Sequence, residues 1–323
     1  MSIVLSEILS GKNTVALGGH VRPDGDCVGS CMGLYLYMKE QYPEIQTDVY
    51  LETIPESFHF LQDTEVIRHE AGVEQVYDLF LCLDCGDVSR LGFSGPLFER
   101  AKETACIDHH ISNEAFADHN YIVPDASSTS ELVYSLLDKE KISRSCAEAL
   151  YMGIAHDTGV FQYSCTSPET MEAAANLMRK GIDSNAIIDK TYYEKTYVQN
   201  QILGKALLES MLILDKRCIV SSVSRKEMEF FEAIPADMEG IVSQMRNTKG
   251  IEVAMFLYEL DYQTYKVSLR SKGAVDVSRI AKYFGGGGHV RAAGVTMKGT
   301  KHDVINNISG KILAQLDAVC EQE

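Results

Sequence analysis

Residues Thr104 to His110 read Thr-Ala-Cys-Ile-Asp-His-His, a short apolar run that ends in an acid and two adjacent imidazoles. The apolar run predicts the last residues of a buried strand. Asp108, His109 and His110 then fall at the carboxyl end of that strand, where open α/β sheets bind their ligands. Because buried polar groups need partners, other parts of the chain are expected to supply them.

Polar residues follow two further predicted strands in the same way. The apolar run 14–17 leads into a glycine-rich loop, and the apolar run 79–83 ends at an acid. Strand and helix segments alternate over this half of the chain, which predicts a mostly parallel sheet whose strand ends meet at one edge. The residues expected to converge there, together with one acid at a helix end, are His20, Asp24, Asp26, Asp84, Asp108, His109, His110 and Asp157.

This set contains five carboxylates, which would repel one another if they converged without cations. A single Asp at a strand end is usually a turn former or helix cap, and a lone His is usually structural. The loop His20-x-x-x-Asp24-x-Asp26, however, projects three ligands from one short segment. Mixed carboxylate and imidazole ligands suit Mn²⁺, Fe²⁺ or Zn²⁺. Because the ligands exceed what one ion needs, two ions bridged by a carboxylate are expected, an arrangement that serves phosphoester hydrolysis.

Two cysteine pairs offer a different kind of site. Cys82-x-x-Cys85 and Cys27-x-x-x-Cys31 would suit structural zinc or redox chemistry, but neither is followed by a helix N-terminus in the manner of thioredoxin. His156 is left outside the metal set, because adjacent residues on a helix point about 100° apart.

The sequence predicts a second domain in the second half of the chain, joined to the first by a helical segment. Residues 185–214 contain no proline and a single glycine, which predicts a long helix or helix pair between two domains. The fold class expected is α/β, with a larger N-terminal domain on a mostly parallel sheet flanked by helices and a smaller C-terminal α/β domain with a mixed sheet. The predicted ranges are 1–185 for the catalytic metal-binding domain, 186–214 for a linker helix region and 215–323 for a substrate-binding domain.

Four consecutive glycines follow a predicted helix near the C-terminus of the chain. They could form a plain turn at the end of that helix, or they could let backbone N–H groups approach a phosphate or sugar closely. An arginine at the end of a predicted strand could add a guanidinium for phosphate. The expected substrate-binding set is Arg270, Ser271, Gly286, Gly287, Gly288, His289 and Arg291.

The composition excludes some partners and favours one compartment. The formal net charge of −16 makes a general attraction to long duplex DNA unexpected. Nine cysteines, several of them in apolar runs, and no signal peptide after Met1 predict a cytoplasmic protein. No apolar run approaches the roughly 18–20 residues needed to cross a bilayer.

At these residues the chain resembles the DHH phosphoesterase family, in the group that carries a C-terminal DHHA1 domain. The matching segments occur in the family's order and span nearly the whole chain, at His20–Ser30, Asp84–Asp87, Ile107–His110, Gly153–Gly159 and Phe284–His289. Val160 and Gln162 stand where many members carry basic residues.

The resemblance implies a two-manganese phosphodiesterase with a cleft between its domains, with Mg²⁺, Fe²⁺ or Zn²⁺ as other candidate metals. By the family pattern one ion would be held by His20, Asp24 and Asp84, and the other by Asp26, Asp84, His109 and Asp157, so that Asp84 bridges. The catalytic residues would be His110, which would contact the scissile phosphate, and Asp108, which would support the histidines. A water activated by the two metals would attack phosphorus in line.

The members that this chain most resembles degrade short RNA oligonucleotides (nanoRNA) to nucleoside monophosphates and convert 3′-phosphoadenosine 5′-phosphate (pAp) to AMP. The alternative within the family is hydrolysis of cyclic di-AMP or of its linear product pApA. A non-catalytic nucleotide sensor is a third reading, against which the intact ligand set argues. The expected partners are short single-stranded RNA or DNA oligonucleotides and pAp, with cyclic or linear di-adenosine nucleotides and a homodimer left open, and no membrane.

Overall fold

The computed structural model describes residues 4–72 and 75–320, and the chain divides into two compact units, Met1–Glu194 and Lys195–Glu323. The α/β class expected from the sequence is confirmed, with a parallel sheet in the first unit and a mixed sheet in the second. Among the described residues, no helix combines the length and the apolar character needed to cross a membrane.

The first unit is built around a parallel sheet. Its strands are β1 (Thr14–Gly18), β2 (Gln46–Tyr50), β3 (Ile67–Arg68), β4 (Leu79–Leu83), β5 (Thr104–Asp108) and β6 (His119–Ile122). They lie side by side in the order β3-β2-β1-β4-β5-β6. The order reverses direction between β1 and β4, and such a switch point leaves a crevice beyond the carboxyl ends of the two strands.

Side chains on β4 show why this sheet is covered on both faces. Leu79, Leu81 and Leu83 pack into one core with the longer helices of the unit. Phe80 and Cys82 point the other way, into a second core. Because side chains alternate along a strand, an apolar run of this kind is stable only when both faces are buried.

The helices of the first unit connect these strands. They are α1 (Leu5–Ile8), α2 (Gly25–Gln41), α3 (Gly95–Arg100), α4 (Thr129–Leu136), α5 (Arg144–Asp157), α6 (Pro168–Met178) and α7 (Ser184–Ile188). Short 3₁₀ turns lie at 56–58, 64–66, 88–94 and 139–141. A π-helix, Asp189–Tyr193, continues directly from α7.

The second unit contains a mixed sheet with helices on both faces. Its elements are α8 (Tyr197–Leu208), β7 (Met211–Ile213), β8 (Cys218–Val223), α9 (Arg225–Phe230), α10 (Ile241–Arg246), β9 (Val253–Asp261), β10 (Thr264–Ser271), α11 (Val277–Tyr283), β11 (Gly287–His289), β12 (Ala292–Lys298) and α12 (Lys301–Cys320), with a 3₁₀ turn at 235–238. The strand order is β11-β12-β10-β9-β8-β7, and β9 and β10 form the expected antiparallel pair.

Of the two alternatives predicted for residues 185–214, the structure has the helix pair, which ends at Leu208 and is followed by a strand. The segment holds the end of α7, the π-helix, α8 and β7. The helical path stops at Glu194, whose backbone is extended. A new helix then starts at Thr196, which exchanges hydrogen bonds with Gln199 in a capping box. Local capping therefore divides this stretch into two helical segments.

The four consecutive glycines at 285–288 begin in the predicted turn at the end of α11 and continue into a short strand. Gly285 ends α11 in the left-handed region, and the next residues enter the edge strand β11, which pairs with β12. A Cβ on Gly288 would lie 2.5 Å from the carbonyl oxygen of Ala292. The absence of a side chain there allows two backbone segments to approach closely.

Candidate metal centre

The carboxyl ends of three neighbouring strands carry much of the predicted metal set. His20 follows β1, Asp84 follows β4 directly, and Asp108 is the last residue of β5. These strands are adjacent in the order β1-β4-β5, so their ends lie along one edge of the sheet. Asp26 in the first turn of α2 and Asp157 at the end of α5 complete the group.

The carboxylate of Asp84 lies between two groups of side chains. Its Oδ2 is 3.5 Å from Nε2 of His20, and its Oδ1 is 3.6 Å from Nε2 of His109. Asp84 is 2% exposed and has a φ of 54°, a left-handed conformation that non-glycine residues rarely adopt. Its two oxygens therefore face different imidazoles from one fixed point of the chain.

The first group consists of His20, Asp24 and Asp84. Nε2 of His20 lies 3.6 Å from Oδ2 of Asp24. The other oxygen of Asp24 accepts hydrogen bonds from the backbone N–H groups of Asp26 and Cys27 and so caps α2. Asp24 thus serves as a helix cap with one oxygen and faces His20 with the other.

The second group surrounds His109. Its Nε2 lies 3.1 Å from Oδ2 of Asp157 and 4.0 Å from Oδ2 of Asp26. With Asp84, this group contains the residues that the family pattern assigns to the second ion. Asp26 is fully buried, which is costly for a charged group without a compensating cation.

The spacing and chemistry of both groups fit divalent metal ions. Ligand atoms bonded to one ion at about 2.0–2.2 Å lie about 3.0–3.6 Å from each other. The imidazole-to-carboxylate distances in the two groups run from 3.1 to 4.0 Å. Carboxylate oxygens and imidazole nitrogens are the ligands expected for Mn²⁺, Fe²⁺ or Zn²⁺. The donor set is therefore suited to binding a divalent metal ion.

His110 lies beside the two groups and is oriented by its own carboxylate. Its Nδ1 donates to Oδ1 of Asp108 at 2.7 Å, and Asn113 donates to Oδ2 of the same acid at 2.7 Å. Asp108 is fully buried, and burial alone would raise its pKa, but the bonds from His110 and Asn113 lower it. The charged carboxylate in turn raises the pKa of His110 against the effect of burial.

Two hydroxyl-bearing residues at the start of α4 contact a proposed metal ligand, although they were not among the residues predicted from the sequence. The backbone N–H groups of Thr129 and Ser130 donate to the two oxygens of Asp26, at 2.6 and 2.8 Å. The run Ser127-Ser-Thr-Ser130 signals a helix cap, but a cap pattern does not reveal which distant carboxylate the helix start faces.

The cysteine pairs form no disulfide. All eight cysteines from Cys27 to Cys218 are free thiols, and most are buried. The thiol of Cys27 lies with His20 and Asp84 in a group whose ligand atoms are all within 4.8 Å of one another. His156, left outside the metal set, has its Nε2 2.9 Å from the hydroxyl of Thr191.

The acids of the centre raise the pKa values of its histidines. Burial alone would lower the pKa of His20, but hydrogen bonds to Asp24 and Asp84 raise it to about 11. Burial would likewise lower the pKa of His109, but its hydrogen bond to Asp157 and the neighbouring carboxylate charges raise it to about 10. Burial and the neighbouring charge of Asp84 also raise the pKa values of Asp26 and Asp157.

We expect metal binding to release protons. His20 and His109 carry protons at pH 7 in the metal-free protein and must lose them to act as ligands, so roughly two protons should leave per chain. Calorimetric titration with Mn²⁺ in buffers of different ionisation enthalpy measures this number. Affinity should rise with pH between 6 and 8, and His109→Asn should release about one proton fewer. Binding that is independent of pH would contradict this expectation.

Close packing of α5 against α2 and α4 depends on Gly153. A Cβ at this position would lie 2.0 Å from Oγ of Ser130 and 2.9 Å from Oδ1 of Asp26. Gly153→Ala should therefore lower the free energy of unfolding by about 1–3 kcal/mol and weaken metal binding through the displaced Asp26. Denaturant unfolding and Mn²⁺ titration measure the two effects. Gly310→Ala, at an exposed helix position with no atom within 4 Å, should be neutral or stabilising.

The predicted substrate-binding residues lie in the second unit. Arg270 on β10 and His289 on β11 both pair with Ala292 on β12, so the three share one row across the sheet. Directly paired residues point to the same face, and the small Ala292 separates the two larger side chains. Ser271 is 1% exposed with its hydroxyl 3.4 Å from the carbonyl oxygen of Val290.

The glycines and Arg291 surround this row. Gly286, Gly287 and Gly288 lead into and form β11, whose residues are exposed. Arg291 donates from Nη1 to the carbonyl oxygen of Val275 at 3.2 Å. Ser271 and Arg291 therefore support the β11–β12 turn, while Arg270 and His289 flank Ala292.

Models of two protein families match this chain, one in each unit. The model of the DHH family, N-terminal domain, matches residues 14–154, and that of the DHHA1 domain matches residues 215–318. The bifunctional oligoribonuclease and PAP phosphatase NrnA of Bacillus subtilis is 27% identical over 328 residues, covering 100% of this chain and 99% of the relative.

Two further similarities are informative. The cyclic-di-AMP phosphodiesterase GdpP of Bacillus subtilis is 27% identical over 317 residues, which are 93% of this chain but 47% of that relative. The crystal structure of an exopolyphosphatase-related protein from Bacteroides fragilis has a TM-score of 0.88 and 26% identity, and the match covers 96% of this chain and 94% of that one.

Proposed function

The chain belongs to the DHH family and is a hydrolase acting on phosphoester bonds, and from this premise we propose that its substrates are nanoRNA and pAp. The products would be nucleoside monophosphates from nanoRNA and AMP from pAp. The proposal is supported by the NrnA relative, which matches the present chain over its whole length.

The position of Asp84 is the observation that carries the catalytic part of the proposal. One of its oxygens lies 3.5 Å from the His20 imidazole and the other lies 3.6 Å from the His109 imidazole. His20, Asp24 and Asp84 would hold one ion, and Asp26, Asp84, His109 and Asp157 would hold the other. Two bound cations supply an activated water and stabilise negative charge on the phosphate.

The side chains beside the metals would handle the substrate phosphate. His110, whose pKa is raised by its hydrogen bond to the charged Asp108, would donate a hydrogen bond to the scissile phosphate and stabilise the charge that develops there. Asp108 would hold the imidazole in the required orientation, helped by Asn113.

We propose manganese as the metal. The ligand set mixes imidazole nitrogen with carboxylate oxygen, whereas Mg²⁺ prefers oxygen ligands and retains its waters. Protein stripped with EDTA should regain activity better with Mn²⁺ than with Mg²⁺. Full activity in Mg²⁺ alone, after rigorous chelation, would argue against this ligand set.

Short substrates suit the charge of the protein. With a net charge of −16, a long polyanion would be repelled, whereas a substrate with few phosphates needs only local cations. In the second unit, Arg270 and His289 on either side of Ala292 would bind the terminal nucleotide of the substrate, away from the scissile bond. Free thiols at eight cysteines support a cytoplasmic location for this activity.

The experiment that tests the proposal compares rates on four natural substrates with the rate on a small activated phosphodiester in Mn²⁺. We expect turnover of 2–5-nucleotide RNA and of pAp, with lower rates on pApA and cyclic di-AMP. No turnover of any substrate, together with tight nucleotide binding, would instead indicate a non-catalytic sensor.

The second candidate function is hydrolysis of cyclic di-AMP or pApA. It is favoured by the similarity to GdpP, although the match covers 47% of that relative's length. Both groups of substrates would be hydrolysed by the same metal chemistry, so only their relative rates distinguish the two functions. Faster turnover of cyclic di-AMP or pApA than of nanoRNA and pAp would favour this second function.

The row of Arg270, Ala292 and His289 in the second unit leads to a prediction about nucleotide binding. Arg270→Ala and His289→Ala should each lower kcat/KM on nanoRNA by a factor equivalent to about 2–3 kcal/mol, as for a lost hydrogen bond to a charged group. The rate on an activated phosphodiester without a second nucleotide should scarcely change. Arg279→Ala, which removes an exposed arginine on α11, is the control and should affect neither substrate. Equal losses on both substrates would contradict a role in nucleotide binding.

A further inference from the structure

Thr129, the first residue of α4, contacts two of the proposed metal ligands. Its backbone N–H donates to Oδ2 of Asp26 at 2.6 Å, and its hydroxyl donates to Oδ1 of Asp84 at 3.1 Å. Thr129 is fully buried, as is Asp26. A side chain in this position acts on the reaction only through the carboxylates that it touches.

The hydrogen bond from the Thr129 hydroxyl limits rotation of the Asp84 carboxylate. Rotation about the bond to a carboxylate is soft, because terminal torsions of this kind have no sharp staggered minima. A donor on one oxygen removes this freedom. The oxygen that Thr129 contacts is the one that lies 3.6 Å from Nε2 of His109, so the other oxygen is left facing His20.

The same helix start orients Asp26. The N–H groups of Thr129 and Ser130 occupy both oxygens of this acid, at 2.6 and 2.8 Å. Since α4 begins with Ser128 as its cap, the two N–H groups are among those without partners inside the helix. One rigid element thereby holds Asp26 and Asp84 in a fixed relation.

We propose that Thr129 is a positioning residue whose hydroxyl holds the Asp84 carboxylate in the orientation that bridges the two metal ions. The proposal rests on the metal-dependent function proposed above. Polar groups that contact metal ligands from outside commonly change metal affinity by about 10- to 100-fold when they are removed. Thr129 is expected to act in this range without touching metal or substrate.

The test compares Thr129→Val with Thr129→Ser. Valine has nearly the same shape, keeps the backbone N–H to Asp26 and removes only the hydroxyl. Mn²⁺ affinity, measured by calorimetry, should fall by about 10- to 100-fold in Thr129→Val and stay within a few-fold of wild type in Thr129→Ser. The electron paramagnetic resonance signal of a spin-coupled Mn²⁺ pair should weaken in Thr129→Val, and Thr129→Ser should restore it.

The matched control is Thr64→Val, which removes a buried hydroxyl that lies 3.4 Å from Nδ1 of His59. It should lower the melting temperature without altering Mn²⁺ binding. If Thr129→Val behaves like this control, its hydroxyl is structural and the proposal is overturned. Wild-type protein that binds an Mn²⁺ pair but hydrolyses no substrate would overturn the proposed function alone, and protein that binds no divalent cation would overturn both.

Discussion

Asp84→Asn is expected to lower the rate of phosphoester hydrolysis by at least about 10³-fold and to reduce metal occupancy below two ions per chain. The asparagine keeps the size of the side chain but replaces one carboxylate oxygen by an amide NH₂ group, which does not bind a metal. In the wild type Oδ2 of Asp84 faces His20 and Oδ1 faces His109. Loss of either oxygen therefore removes the bridge between the two ligand groups.

The measurement combines initial rates on pAp in Mn²⁺ with metal analysis of the dialysed protein. Asp48→Asn is the matched control, because Asp48 is a buried acid of the same unit that binds Arg68 and Tyr77 instead of metal ligands. The control should lose stability but keep its rate per folded molecule. Two ions per chain and a near-normal rate in Asp84→Asn would overturn the assignment of a bridging carboxylate.

The sheet of the first unit was predictable from local patterns. Apolar runs such as 79–83 have the length of buried strands, and the acids and imidazoles that follow them mark the strand ends. Because parallel strands align their carboxyl ends, the position of Asp84 and Asp108 at one edge follows from the strand assignments. The family resemblance then grouped these residues into two ligand sets that the strand pattern alone leaves undivided.

Other features escaped prediction because they depend on tertiary contacts. Residues Gly287–His289 form a strand although glycine disfavours strands, since pairing with β12 requires close backbone approach at Gly288. The contact from Thr129 to Asp84 joins residues that are 45 positions apart in the chain. The break after the π-helix depends on the capping of α8, which residue composition does not reveal.

The second large effect is expected at His110. His110→Ala should lower kcat by about 10²–10³-fold, because it removes a donor that stabilises charge developing on the phosphate. Metal occupancy should change little, since the family pattern assigns both ligand groups without this residue. Asp108→Asn should lower kcat by about 10- to 100-fold, because its amide no longer offers the imidazole of His110 a charged acceptor. Stopped-flow or initial-rate measurements at saturating substrate give both values.

The double variant Asp108→Asn/His110→Ala distinguishes a role for Asp108 that acts through His110 from an independent one. If Asp108 only orients the imidazole, the double variant should be no slower than His110→Ala alone, because interacting residues have non-additive effects. Asn113→Ala removes one hydrogen bond from Asp108 but leaves its charge, so a loss of less than about tenfold is expected. Additive losses would show instead that Asp108 contributes separately, for example by holding the end of β5 through Asn113, which donates to its carboxylate and to the carbonyl oxygen of Cys85. A loss of metal in Asp108→Asn would also favour that second role, since a displaced strand end carries His109 with it.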